Sequence, residues 1–249
     1  MDIRKLIKKL LGKRDKIEIL PAPCEEYKIC INCLESIPKE NIVCNKCDHN
    51  QSLPVQKRIG SINDISKAIV AGVAGQQNID IDFISNFCKF EGKPIKMEYL
   101  NKAYIEILIT KLAISYILFL ENFRKHYNYK KLIDVLENEI DNLFKELFKD
   151  SDKVWEYFYY MLNKYLDAFK DEYPIETISN ILKSIIERTI AGKDIPIDLF
   201  ADKFVATKPL KVISKEGVFP SRNHSNYCEI FIWSYIEVFT LWKNRWEIE

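Results

Sequence analysis

Residues 30–47 read Cys30-Ile-Asn-Cys33, ten further residues, then Cys44-Asn-Lys-Cys47. A Cys-x-x-Cys turn aims two sulfurs at one point. Two such turns complete a tetrahedral shell if the chain reverses between them, and four thiolates are the set that zinc prefers. The spacer supplies the reversal: Pro38, in Ile37-Pro38-Lys39-Glu40-Asn41, stands where a type I turn takes proline. Ile31, Leu34, Ile37, Ile42 and Val43 are too few to fold this segment by burial. Metal binding must supply the folding energy, on the order of 10 kcal/mol or more at neutral pH. A redox dithiol and unligated cysteines are the competing readings, and two pairs at metal-ligand spacing disfavour both. Cys24 and His49 lie near enough to be substitute ligands. A closed four-cysteine site is structural, because catalysis needs an open coordination position.

The stretch YKICINCLESIPKENIVCNKCDHNQ, residues 27–51, resembles the short zinc ribbons with paired Cys-x-x-Cys knuckles around a central Ile-Pro…Cys. The resemblance implies a structural Zn(2+) held by Cys30, Cys33, Cys44 and Cys47. It covers only this segment, and the family is functionally mixed: nucleic-acid binders, protein adaptors and purely structural modules all occur in it. Such ribbons usually carry Gly after each second cysteine, where the backbone turns left-handed. This chain has Leu34 and Asp48 there. Asp tolerates that conformation and Leu does so poorly, so the first knuckle is expected to be distorted.

The rest of the 249 residues reads as helix. With 47% hydrophobic and 29% charged residues the chain has material for a sizeable core, and disorder is not expected. Only 7 glycines argue against sandwiches, barrels and phosphate-binding loops. No secretory signal is visible, because residues 1–16 are charged throughout. The expected location is cytoplasmic, with reduced or metal-bound cysteines. Cys88 and Cys228 sit in apolar helical contexts and read as core. The most apolar run, Ile105–Leu120, is interrupted by Glu106 and Lys111 and is shorter than the roughly 20 residues of a membrane span. It is expected to be a core helix, and no transmembrane segment is expected.

The fold class expected is all-α, an N-terminal zinc ribbon followed by a helical domain. Residues 1–20 form a basic amphipathic helix, with Ile3, Leu6, Ile7 and Leu10 at helical spacing. The ribbon takes residues 24–52 and the helical domain 60–249. Ser61 is expected to cap a helix running towards Asn78, and a short helix should follow Asp80. Longer helices are expected over Met97–Tyr127 and Tyr129–Lys149. Others start at a Ser151 cap, run from Ile175 to Ala191 with Gly192 as the stop, follow Pro196, and close the chain from Tyr227 to Trp246. Collinear matches suggest a degenerate duplication of 61–128 in 177–249, bridged by 129–172: Ile65-Ser-Lys-Ala-Ile-Val with Ile181-Leu-Lys-Ser-Ile-Ile, and Tyr104-Ile-Glu-Ile-Leu-Ile with Tyr227-Cys-Glu-Ile-Phe-Ile. Chance similarity between Ile/Lys-rich helices is the competing reading.

Catalytic templates are absent: no Gly-rich phosphate loop, no H-E-x-x-H, no G-x-S-x-G and no kinase signature. The charged face of Asp134, Glu137 and Asp141 reads as solvated, and Asp82 and Asp198 as helix caps. The leading expectation is therefore a non-enzymatic interaction or adaptor protein with a protein partner. A second reading is nucleic-acid binding through Arg4, Lys5, Lys8, Lys9, Lys13, Arg14, Lys28, Lys46, Lys57 and Arg58. Residues 1–60 carry 12 Lys/Arg against 8 Asp/Glu, but the whole chain carries only +1, which weakens that reading. A third is an enzyme of unfamiliar type with a site between the repeats, formed by Asp82, Asp198, Arg222 and His224. The last two lie in the polar loop 214–226, and an anion or ligand contact there is the alternative to an ordinary connector. Peripheral membrane contact by the first helix is a further alternative.

Overall fold

The computed structural model describes residues 27–33, 36–53, 57–90, 97–123, 128–192 and 227–248. Among them are strands β1 (Tyr27–Ile29), β2 (Ser36–Pro38) and β3 (Arg58–Gly60). Seven helices follow: α1 (Ile62–Ala74), α2 (Gln77–Phe90), α3 (Met97–Phe123), α4 (Tyr129–Leu147), α5 (Ser151–Ala168), α6 (Pro174–Ile190) and α7 (Tyr227–Lys243). Strand β4 (Trp246–Ile248) ends the described chain. The all-α class holds, and the described residues add two short two-stranded sheets.

The helices start and stop for local reasons. Ser61 caps α1 in a capping box with Asp64. Gly75 ends α1 three residues before Asn78, so α2 begins at Gln77, earlier than expected. The cap of α5 is Asp150, whose carboxylate accepts from the Lys153 N–H, and not Ser151, the first helical residue. Pro174 opens α6, where its missing N–H costs nothing. Gly192 after α6 has φ +65, the left-handed turn that favours glycine, and a Cβ there would meet the Tyr99 hydroxyl at 2.7 Å.

Helix α3 is the hub and touches every other described helix. It is long and apolar enough to cross a membrane by length and composition, but its apolar window is wholly buried inside the protein. A helix that is hydrophobic all round belongs in the middle of a core. The outer helices are amphipathic by contrast. On α4, Leu132, Leu136, Ile140 and Phe144 face inward. Cys88 and Cys228 are buried in this core, as the sequence suggested.

Four polar side chains of α3 are carried into the core, Glu106, Thr110, Lys111 and Ser115. Buried polar groups need partners. Thr110 meets the Tyr165 hydroxyl at 2.8 Å. Ser115 meets the Tyr235 hydroxyl, which also donates to the Lys111 carbonyl. Lys111 Nζ lies 2.9 Å from both oxygens of Asp80 and over the Tyr235 ring. Asp80, not Asp82, is thus the inward acidic residue of α2, and Asp82 is exposed within the helix instead of capping it. The charges on α4 are also engaged rather than simply solvated: Glu137 accepts from the Tyr116 hydroxyl at 2.7 Å, and Asp141 from Trp155 Nε1 at 2.8 Å.

Among these four side chains of α3, Glu106 is the one that is not fully paired. One oxygen accepts from the Tyr157 hydroxyl at 2.7 Å, while Oε1 has no hydrogen-bond partner among the described residues. Burial pushes its carboxyl up to about 7, against the smaller lowering effects of Tyr157 and Arg188. A carboxyl raised in the folded state is most stabilising while protonated. Its contribution is therefore full below the unfolded value of about 4.5 and is lost as pH climbs through 7. Across that window the wild type should lose about 3 kcal/mol relative to Glu106→Gln. Urea midpoints of both proteins between pH 4.5 and 8 measure it, and parallel pH profiles would contradict it.

Candidate metal centre

The four-cysteine segment is built on two short ladders. Strands β1 and β2 pair antiparallel with Lys28 opposite Ile37, and Val43 bridges Asn50. The turn after β2 is closed by the Asn41 N–H on the Pro38 carbonyl at 3.1 Å, so Pro38 takes its first position and not its second. The second knuckle closes when the Asp48 N–H reaches the Cys44 carbonyl at 2.9 Å. That tight turn puts Asp48 at φ 56, the left-handed conformation the sequence assigned to it. Leu34, at the matching place in the first knuckle, lies outside the described residues.

These turns bring Cys30, Cys33, Cys44 and Cys47 together, with all four Sγ atoms within 4.8 Å of one another. Cys30 Sγ lies 3.7 Å from Cys47 Sγ and Cys33 Sγ lies 3.6 Å from Cys44 Sγ. A tetrahedral ion with metal–sulfur bonds of about 2.3 Å has sulfur–sulfur edges of roughly 3.8 Å. The spacing fits an ion at the centre, and the four sulfurs fill its shell. Cys30 and Cys44 are buried, and Cys33 and Cys47 half-buried. His49 is not in the cluster, and its Nε2 lies 3.3 Å from the Leu53 carbonyl. Cys24 falls outside the described residues.

N–H groups surround the sulfurs. Cys30 Sγ accepts from the backbone of Asn32 at 3.3 Å and of Cys33 at 3.5 Å, and from Gln51 Nε2 at 3.3 Å. Cys44 Sγ accepts from the Lys46 N–H at 3.3 Å, and Cys47 Sγ from Asn32 Nδ2 at 3.4 Å. Burial alone would push the Cys30 thiol up, but these donors outweigh it and bring it to about 6. The Asn32 amide, with help from the His49 backbone, lowers the Cys47 thiol. The site is thus set to hold thiolates, the form that binds metal.

Two residues that the sequence reading passed over organise the centre. Gln51 accepts from the Ile31 N–H at 3.0 Å and donates to the His49 carbonyl at 2.9 Å, so it links both knuckles. Arg245, after α7, donates through Nη2 to the Ile31 carbonyl. The same stretch seats the ribbon on the body. Strand β4 pairs in parallel with β3, the Arg58 N–H reaches the Arg245 carbonyl at 2.6 Å, and Lys57 pairs with Glu247 at 2.8 Å. Trp246 packs on Gly60, where any Cβ would meet its ring at 2.7 Å.

Of the basic residues considered for nucleic acid, Lys46, Lys57 and Arg58 are exposed and Lys28 is half-buried. Arg4, Lys5, Lys8, Lys9, Lys13 and Arg14 lie outside the described residues. So do Asp198, Arg222 and His224, the expected helices over residues 1–20 and after Pro196, and residues 193–226 within the second half of the suggested duplication. Comparison with protein-family models, with curated proteins and with solved structures gives no match to this chain.

Proposed function

We propose that the tetrathiolate holds structural zinc and that the chain is a non-enzymatic interaction protein whose ribbon is the contact surface for a protein partner. The observation that carries this reading is where apolar side chains face water. Seven large ones are exposed among the described residues, and four of them, Ile42, Val43, Leu53 and Ile59, lie in the ribbon and the strand that follows it. The ribbon's own interior holds Cys30, Ile37 and Cys44, with little else apolar. A metal core leaves aliphatic residues free for another surface, and a segment rich in exposed apolar groups is a candidate contact site.

Filled coordination argues for a structural ion and against a catalytic one. Thiolate donors select zinc over magnesium or calcium, which take oxygen ligands. Charge disfavours the nucleic-acid reading. Residues 27–60 carry five basic and three acidic side chains, a balance of +2. Zinc with four thiolates adds about two negative charges and cancels it, leaving little to release counterions from a phosphate backbone.

The test immobilises the full zinc-loaded chain and the variant Ile42→Asp/Leu53→Asp in nuclease-treated lysate. Proteins retained by the wild type and lost from the variant are the expected result. An unchanged retained set would overturn the assignment of this face. Retention that disappears with nuclease would favour nucleic acid instead.

A further inference from the structure

We infer that Gln51 and Arg245 are positioning residues of the metal centre, and that Arg245 couples the ion's presence to the seating of strand β4. The inference rests on the zinc reading above and extends it to a control between two parts of the chain.

Ile31 sits inside the first knuckle, between Cys30 and Asn32. Its N–H is held by Gln51 and its carbonyl by Arg245, so both flanking peptide groups are fixed. Fixing them aims the Asn32 N–H at Cys30 Sγ. Gln51 does this from within the ribbon. Arg245 does it from 214 positions along the chain, at the entrance to β4.

Charge explains why an arginine stands there. Arg245 is partly desolvated and lies within electrostatic reach of a second guanidinium, Arg58, and both influences disfavour its charge. Cys30, Cys33 and Cys47 act in the opposite sense. Two neighbouring guanidinium groups are tolerable beside an anion, and a zinc tetrathiolate is one. Loss of the ion frees the knuckle and disperses the anion. The Ile31 carbonyl then leaves Arg245, and the two guanidinium groups repel across β3 and β4. The two short parallel strands keep the Lys57–Glu247 pair and the packing of Trp246 on Gly60, so their pairing loosens rather than separates. Coupling of this kind is reciprocal, so a chain that cannot seat Arg245 must bind zinc more weakly.

The test compares the full-length wild type with Arg245→Met, Arg245→Lys and Gln51→Leu. Zinc affinity is read by chelator competition, the ligand set by cobalt(II) absorption, and β3–β4 pairing by amide exchange of Arg58 and residues 246–248. Outer-sphere partners are worth about 10- to 100-fold in metal affinity. Arg245→Met should lose about that much while keeping a four-thiolate cobalt spectrum, and Arg245→Lys should recover part of it. Chelation should speed β3–β4 exchange in the wild type. In Arg245→Met that exchange should be fast with or without zinc. Gln51→Leu guards against a folding defect at the C-terminal strand: it should bind zinc more weakly while its β4 exchange still responds to the ion. Affinity within twofold of wild type in Arg245→Met, or β3–β4 exchange indifferent to chelation, would overturn the coupling and leave the zinc reading standing. A wild type that takes up neither zinc nor cobalt would overturn both.

Discussion

Stripping metal from the full chain with a strong chelator at neutral pH is expected to unfold residues 27–53 while the helical signal of the body persists. The expectation follows from what fills the ribbon. Ile37 is its one fully buried aliphatic side chain among the described residues, and burying such a side chain contributes only about 1.5–3 kcal/mol. Structural zinc contributes on the order of 10 kcal/mol or more. Without it the ordering entropy of so many residues has nothing comparable to oppose it. Amide exchange by mass spectrometry would resolve the two regions, and Cys44→Ser should reproduce the effect of chelation. Full protection of residues 27–53 in metal-free protein would mean that burial, not coordination, orders the segment. Acid should act in the same direction, because protonated thiols release the ion.

The second large effect lies in the body. Lys111→Met should destabilise the fold by about 3–5 kcal/mol, because it leaves the Asp80 carboxylate buried without its cation. Desolvation already raises the Asp80 carboxyl to about 6 and lowers the Lys111 amine, with each partner only partly offsetting the other's loss of water. The pair is therefore held near balance, and replacing both members should restore most of what one replacement removes. Urea unfolding at pH 7 of Lys111→Met, and of Asp80→Leu with Lys111→Met, measures this. A double variant as unstable as the single one would show that the ion pair stabilises the core outright.

The metal site was legible because cysteine spacing is a local code. Two Cys-x-x-Cys pairs carry their own geometry, and the aspartate after the second pair announced its left-handed turn. Helix boundaries were legible where caps and glycine spoke, at Ser61 and Gly192. Asp80 was hidden because a helix starting after Asp80 begins four residues later than the observed start at Gln77. In the correct phase Asp80, Ile84 and Phe87 share one buried face, and Asp82 turns outward. A lysine in the middle of an apolar helix was the available signal, since it demanded a buried acid somewhere. Arg245 and β4 gave no such signal. Their partners, Ile31 and β3, are remote in sequence, and one backbone carbonyl and three strand residues leave no periodic trace.

The parallel pairing of β3 with β4 also bears on how the molecule is made. The two strands are separated by nearly the whole helical body, so their pairing is a contact of very long sequence separation, the kind that forms slowly. During synthesis the ribbon leaves the ribosome early and its seat leaves after every other described element. The four-cysteine segment is complete long before Arg245 and β4 exist, so its contacts with them wait until translation has passed Ile248. In that interval its two knuckles are untethered.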